Sequence, residues 1–339
     1  MQPHPRTSRR ALLRHGAWIG LGALLSPPAL RFAAAADDFI RGPAVPDQPL
    51  LRLSPRVAMV YAEDGFPTPE NRGMMANVLF VLTSAGVVVL DTGASVQIGE
   101  MAIRRLRTLT DRPVVAVINS HYHGDHFLGN DAFVQAYGPA LPIYAHPGTR
   151  VQIAGTAGSL WRSLLERWTN QATMGTVVVP PNRDAKHGDL LRFGDTTLRI
   201  HHHGVAHTEA DLCVEVVEDG VVYLGDVAMN GRIANMDDGS YVGTLKTFDA
   251  LEHDTKARLW VPGHGRASAT LLDEQRAFFE GIYRNAEAAV KAGDTLEQAR
   301  ARVLADPRVA RWATRTQGWE GNIGKYISLA YLEAEKTAF

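Results

Sequence analysis

A dense group of metal-ligand side chains follows one strand-like segment of this 339-residue chain. Residues 121–126 read His-Tyr-His-Gly-Asp-His, directly after the β-branched segment Val114–Ile118. Imidazole and carboxylate groups are the ligands that Zn²⁺ takes where a site keeps one position open for water or substrate. A loop at the end of a strand can hold such ligands rigidly and still leave them accessible. The predicted ligands are His121, His123, Asp125 and His126.

Three further ligand-type residues follow other predicted strands. His207 comes after a strand at 197–201, Asp226 ends a hairpin strand at 221–224, and His264 follows a strand at 258–261. Loops that follow the strands of such a sheet gather at one edge, so residues more than a hundred positions apart can meet there. The sequence therefore predicts one site built from all seven side chains.

Strand and helix patterns alternate along the chain, which predicts an α/β fold. Residues 37–50 are Pro-rich and are expected to be a lead-in, and residues 51–339 are expected to form one domain. A wide apolar stripe at helical spacing begins near Thr270, so 270–339 is predicted to be a helical C-terminal extension. Helices are also expected at 95–109, 127–135, 151–170 and 245–252.

These motifs, in this order, resemble the metallo-β-lactamase superfamily. The resemblance implies an αββα four-layer sandwich with a dinuclear centre at one edge of its two sheets. It implies that His121, His123 and His207 hold one metal ion and that Asp125, His126 and His264 hold a second. Asp226 would bridge the two ions, and Asp91, in the sequence Leu-Asp-Thr-Gly, would support the first ligand loop as metal-bound imidazoles usually require.

The expected cofactor is two Zn²⁺ per chain, with iron or manganese as alternatives. Two such ions lower the pKa of a shared water towards 7, which removes the need for a Ser or Cys nucleophile. A metal-bridging hydroxide would attack an ester, thioester, lactone or lactam carbonyl, with Asp125 as the catalytic residue that orients it and carries its proton. Typical class B1 β-lactamases place Cys where Asp226 stands, and the Gly-Asp form is more similar to glyoxalase II, lactonases and exported metallohydrolases of sulfur-oxidation and quinoprotein systems.

Two other functions stay open on the sequence. Iron-dependent persulfide dioxygenases share the sandwich and the His-x-His-x-Asp-His run but use one iron with two His and one Asp. A non-catalytic metal-binding accessory protein of a periplasmic redox system is the second. His126 and His264 favour two metals, and Asp125 favours catalysis.

The predicted partner is a small, partly apolar molecule. Phe66, Trp161 and Tyr241 lie in segments expected near the sheet edge and are predicted to line its pocket. The histidines at 146, 187, 201–203 and 253 are predicted to be ordinary surface or core groups, with His146 and His202 as the best candidates for supporting the ligands. No oligomeric state is predicted.

Residues 1–36 read as an export signal that is removed. They hold five Arg and no acidic residue, an apolar core of ten residues at 16–25 and a run of Ala at 33–36. Ser8-Arg9-Arg10 resembles the twin-arginine signal, which implies a periplasmic or secreted protein. The core is too short to span a bilayer. Residues 37–339 carry 30 basic and 36 acidic side chains, a balance of −6 without a basic block, which disfavours nucleic acid as a partner.

Overall fold

A seven-stranded sheet forms one half of the fold in the computed structural model, which describes residues 41–63, 65–233 and 236–338. Its strands run in chain order from one edge to the other, antiparallel from β1 to β4 and parallel from β4 to β7. They are β1 (Leu50–Arg52), β2 (Val57–Val60), β3 (Val78–Thr83), β4 (Gly86–Leu90), β5 (Val114–Ile118), β6 (Ile143–Ala145) and β7 (Arg183–Asp184).

A five-stranded sheet faces the first, in the order β12-β11-β10-β9-β8. β11 and β12 are parallel and the other neighbours are antiparallel, so β9, β11 and β12 all end at the same edge. The strands are β8 (Leu190–Phe193), β9 (Thr196–His201), β10 (Cys213–Val216), β11 (Val221–Tyr223) and β12 (Leu259–Val261).

Helices cover the outer faces of both sheets. α1 (Val96–Arg107), α2 (Gly124–Phe127), α3 (Asn130–Tyr137), α4 (Pro147–Ala154) and α5 (Thr156–Trp168) come from the first half of the chain. α6 (Tyr241–Asp254), α7 (Leu271–Ala292), α8 (Leu296–Ala305), α9 (Pro307–Ala310) and α10 (Trp319–Ala338) come from the second half. Residues 225–227 form a single 3₁₀ turn.

The alternation of side chains along the strands divides the core into three layers. In β3, Val78 and Phe80 point towards the helices of the first half, whereas Leu79 and Val81 point between the sheets. Leu198 and Val214 meet them from the second sheet. Because both faces of the first sheet are covered, its central strands β3, β4 and β5 are apolar almost throughout. The predicted αββα sandwich with a helical C-terminal segment is therefore confirmed.

Local sequence explains where the helices begin and end. The helical segment predicted at 151–170 is divided into two helices, α4 and α5, at Gly155. α6 begins earlier than predicted because the Ser240 hydroxyl accepts a 2.9 Å hydrogen bond from the Gly243 backbone N–H. Gly293, in the left-handed region, ends α7, and Thr295 with Gln298 forms the capping box that begins α8.

The predicted export signal, 1–36, lies outside the described residues and stays a prediction, as do residues 37–40 of the lead-in. Within the described ranges, no helix combines the length and the apolar character that crossing a membrane requires. The described lead-in, residues 41–49, contains no strand or helix and runs directly into β1. Cys213 is buried in β10.

Candidate metal centre

All the predicted ligands lie at one edge of the two sheets, where β5, β9, β11 and β12 end. The loop after β5 carries residues 121–126, and its last residues begin the short helix α2. The loops after β11 and β12 are joined by a 2.7 Å hydrogen bond from the Gly263 N–H to the Gly225 carbonyl. The sheets therefore bring together side chains that the sequence spreads over residues 121–264.

The first group of ligand atoms comes from His121, His123, His207 and Asp226. One atom from each lies within 4.8 Å of the others, and all four residues are buried. His207 Nε2 lies 3.0 Å from His123 Nδ1. Two nitrogens bound to one tetrahedral zinc ion at 2.0–2.1 Å stand about 3.3 Å apart, so this spacing is close to that of two ligands of one ion.

The second group comes from Asp125, His126 and His264, which are also buried and within the same mutual distance. Asp125 Oδ2 lies 3.1 Å from His264 Nε2 and 3.4 Å from His126 Nε2. Asp226 belongs to both groups, because its Oδ2 lies 3.7 Å from His207 Nε2 and 3.2 Å from His264 Nε2. A carboxylate in this position can contact two ions at once.

Several ligand side chains of this centre have buried polar atoms that form no hydrogen bond within the protein. Buried side-chain atoms without a hydrogen-bond partner cost about 1–3 kcal/mol each, and native proteins keep few of them. Four of those found among the described residues belong to this centre and approach its other ligands: His121 Nε2, Asp125 Oδ2, His126 Nε2 and Asp226 Oδ1. Such a concentration at one place indicates a site whose ligands are satisfied by bound ions.

Hydrogen bonds behind the ligands set the tautomers of two imidazoles. His126 Nδ1–H donates to Asp91 Oδ2 at 2.7 Å, and His264 Nδ1–H donates to the Met75 carbonyl at 2.6 Å. Both rings therefore turn Nε2 towards the centre. Asp91 also accepts from the Ser120 N–H at 2.7 Å, so it joins the ligand loop to the end of β4.

Burial, together with neighbouring charges, shifts the pKa values of several ligands. It lowers the pKa of His121 well below its usual value and, with His123, lowers that of His207 to about 3. Burial opposes ionisation of Asp226, but His264 outweighs it and holds the pKa of that carboxyl well below its usual range. Neutral imidazoles at His121 and His207 and an ionised carboxylate are the protonation states that metal ligands need. At His126 burial is outweighed by Asp226, Asp125 and Asp91, which hold its pKa above the usual value.

A cavity of about 450 Å³ opens onto both groups of ligands. Phe66 and Trp161 lie in its wall, as predicted, and the Trp161 ring stands 4.7 Å from the ring of His123. The prediction that Tyr241 lines the pocket is wrong. Tyr241 is 1% exposed, its ring packs 5.5 Å from that of Phe279, and its hydroxyl donates to a carbonyl of α10, because α6 turns this residue towards the C-terminal helices.

Sequence reasoning missed two residues of the site. Arg232 lies in the cavity wall, with its guanidinium 4.7 Å from the Phe66 ring centroid and Nη1 2.8 Å from His264 Nε2. Asn77 is buried and donates to the carbonyls of Pro262 and Gly265 at 3.0 and 2.9 Å, which holds the loop that carries His264. A lone Arg in a loop and a lone Asn before a strand carry no spacing signal.

Among the residues that the structure describes, the other histidines do not join this centre. His146 and His202 stack with ring centroids 4.4 Å apart. His146 Nδ1 accepts from the Gly148 N–H, and His202 Nδ1 donates to the Asp211 carbonyl. These contacts hold loops rather than ligands of the centre.

The chain shares its fold and motifs with known proteins. The family model described as the Metallo-beta-lactamase superfamily matches residues 71–264. A linear primary-alkylsulfatase of a Pseudomonas species is 35% identical over 78 residues, which cover 22% of this chain and 15% of that protein. The match thus spans a small part of the sulfatase.

Solved structures share the fold at low sequence identity. A metallo-beta-lactamase from Pontibacter korlensis has a TM-score of 0.55 at 18% identity, covering 68% of this chain and 98% of that one. A double mutant of the sec-alkyl sulfatase PisA1 has a TM-score of 0.60 at 17% identity, covering 75% of this chain and 45% of that one. Because the family model matches more than half of the sequence, this chain belongs to the metallo-beta-lactamase superfamily.

Proposed function

We propose that this protein is a metal-dependent hydrolase that cleaves an ester, thioester, lactone or lactam bond in a small, partly apolar substrate. One observation carries the proposal: seven buried ligand side chains converge beside one cavity, and several of their donor atoms have no hydrogen-bond partner. A purely structural polar cluster would satisfy those atoms within the protein.

Two zinc ions are the proposed cofactor, with iron or manganese as alternatives. His121, His123 and His207 would hold one ion, Asp125, His126 and His264 the other, and Asp226 would contact both. When bound, such ions supply a water of lowered pKa and polarise the scissile carbonyl. Neutral nitrogen and carboxylate donors without thiolate suit this chemistry.

Asp125 is the proposed catalytic residue. It lies in the cavity wall and its carboxylate approaches both His126 and His264. Burial opposes its ionisation, but these two histidines outweigh burial and hold the pKa of Asp125 well below its usual value. An ionised oxygen at this place can orient the nucleophilic water and accept its proton.

The cavity wall indicates the kind of substrate. Phe66, Trp161 and Trp168 provide apolar surface, and Arg232 provides a cation beside the ligands. An apolar body with an acidic or strongly polar group near the scissile bond fits both features. Sulfate esters therefore join the substrates to be tested, and the alkylsulfatase names among the similar proteins support including them.

The protein is also proposed to act outside the cytoplasm. The Arg-rich segment with its apolar core and run of Ala supports export, and Ser8-Arg9-Arg10 supports the twin-arginine route. Fractionation of cells that produce the full chain would test this. Protein of full length in the cytoplasm would contradict it.

Metal analysis together with turnover tests the reaction. Elemental analysis is expected to find two zinc ions more in the wild-type chain than in a variant with His207→Ala and His264→Ala. Wild type is expected to hydrolyse members of a panel of ester, lactone, thioester, β-lactam and alkyl sulfate substrates. One iron per chain with oxygen uptake on a persulfide would replace the proposal with the dioxygenase reaction, and metal without turnover would favour an accessory protein.

Asp125→Ala tests the catalytic assignment. This variant is expected to lose about 10²–10⁴-fold in kcat, the usual value of a positioned proton acceptor. Asp184→Asn is the matched control, because Asp184 is an exposed carboxylate paired with Arg150 away from the cavity. Circular dichroism checks that both variants fold. Full turnover by Asp125→Ala would overturn the assignment.

A further inference from the structure

Three histidines outside the candidate centre converge on the outer side of the second sheet. His187 lies in the turn between β7 and β8, His201 is the last residue of β9, and His203 follows two positions later. One ring nitrogen from each lies within 4.8 Å of those from the other two. The ring centroids are 4.8, 5.9 and 6.3 Å apart, which leaves room for one ion between them.

Backbone hydrogen bonds hold this cluster together. The Gly188 N–H donates to the Ile200 carbonyl at 2.9 Å, and the Ile200 N–H donates to the Asp189 carbonyl at 3.0 Å. These bonds join the turn of His187 to the end of β9, so the approach of His187 to His201 is built into the sheet.

Two ring nitrogens of the cluster are buried without a hydrogen-bond partner. They are His201 Nδ1 and His203 Nε2. The other nitrogen of His201, Nε2, lies 3.2 Å from the Glu215 carboxylate and donates to it. This bond leaves Nδ1 as the nitrogen with a free lone pair, which is the carboxylate–histidine arrangement found behind many metal ligands.

Two carboxylates stand beside the cluster, and one of them, Glu215, also pairs with Arg199 Nη1 at 3.2 Å. Glu215 and Asp254 are its carboxylates, and Asp254 Oδ2 stands 3.9 Å from His203 Nε2, too far for a hydrogen bond. Burial, followed by His187 and His201, lowers the pKa of His203 to about 4, so this imidazole is neutral at pH 7. His187 is exposed, which gives an ion access from solvent.

We propose that His187, His201 and His203 form a separate binding site for one divalent transition-metal ion of the zinc, copper or nickel type. Three imidazoles without thiolate select these ions over magnesium or calcium. Binding needs one small change: the 3.3 Å hydrogen bond from the His202 N–H to His187 Nδ1 is exchanged for a metal bond.

Zinc stoichiometry tests the site. Metal-free protein is dialysed against Zn²⁺ and the bound zinc is counted by elemental analysis. A variant with His187→Ala and His203→Ala is expected to hold one zinc ion fewer than wild type. His253→Ala is the matched control, because His253 is a neighbouring histidine whose side chain is 88% exposed and does not belong to the cluster.

The outcome does not depend on the candidate centre at the sheet edge, since both variants leave that centre intact and only the difference is measured. A chain whose sheet-edge centre proved empty would still lose one ion in the double variant. Equal zinc contents in the double variant and wild type, or the same loss in His253→Ala, would overturn the proposal.

Glu215→Gln adds a test that keeps all three ligands. Removing the carboxylate behind His201 is expected to weaken Zn²⁺ binding at this site about 10–100-fold, as such partners usually do. Competition with a chromophoric chelator measures the affinity. Unchanged affinity would contradict the role of His201 as a ligand through Nδ1.

Discussion

Replacing Asp91 by asparagine is expected to weaken the binding of one metal ion at the candidate centre by changing the tautomer of His126. Asp91 is fully buried, and its Oδ2 accepts hydrogen bonds from the Ser120 hydroxyl, His126 Nδ1–H and the Tyr223 hydroxyl at 2.6, 2.7 and 2.5 Å. Its Oδ1 accepts from the Ser120 backbone N–H at 2.7 Å. Both carboxylate oxygens therefore accept hydrogen bonds, three at Oδ2 and one at Oδ1.

Asparagine cannot reproduce this pattern in either orientation. If its NH₂ group takes the place of Oδ1, it meets the Ser120 N–H, which cannot accept. If it takes the place of Oδ2, the two hydroxyls can rotate to accept, but His126 must lose the proton at Nδ1 and carry it at Nε2. Nε2 is the proposed metal ligand, so the second orientation blocks coordination.

Two effects set the expected changes, one in Zn²⁺ affinity and one in the free energy of unfolding. Partners behind a metal ligand usually contribute 10–100-fold to affinity, so Zn²⁺ binding at the His126 position is expected to weaken by about that factor, or about 1.4–2.7 kcal/mol. An unsatisfied buried donor costs about 1–3 kcal/mol, which sets the expected loss in the free energy of unfolding of the metal-free protein.

Chelator competition and urea denaturation measure the two effects. Tyr223→Phe is the matched control, because it removes one donor to Asp91 and leaves the bond between Asp91 and His126 in place. It is expected to keep both ions. ¹⁵N NMR of the histidine rings reports the tautomer directly. Wild-type affinity in Asp91→Asn, or an equal loss in Tyr223→Phe, would refute the reasoning.

Two further substitutions test the centre and the C-terminal helices. A Cβ at Gly263 would stand 2.2 Å from Asp226 Oδ1, so Gly263→Ala is expected to displace that carboxylate and to reduce bound zinc and turnover. Gly321→Ala is the control. The added Cβ there has open space around it, so zinc content and turnover should not change. Asp306→Ala removes the N-cap of α9 and is expected to cost about 0.5–2 kcal/mol at pH 7 by urea denaturation. Hydrogen bonds from Arg308 lower the pKa of Asp306 to about 2, below its value in the unfolded chain. The difference in the free energy of unfolding between Asp306→Ala and wild type should therefore be full above about pH 4 and shrink as the pH falls towards 2. Equal zinc in the two glycine variants, or a pH-independent cost at Asp306, would contradict these expectations.

The fold class and the position of the ligands could be predicted because local patterns encode them. β-branched runs marked the strands, and the residues His207, Asp226 and His264 each followed such a run. Helix ends were less predictable. α6 begins four residues before the predicted start because one serine side chain caps it, and an apolar stripe does not reveal a cap.

Sequence alone determined which residue types this protein offers for chemistry and the order in which the strands present them. Only the tertiary structure decided that Arg232 reaches the ligands, that Tyr241 faces the core, and that three histidines predicted to be ordinary form a second cluster. The physical reason is that these outcomes depend on how separate segments approach one another. That approach is set by the packing of two sheets and their helices, which no local spacing contains.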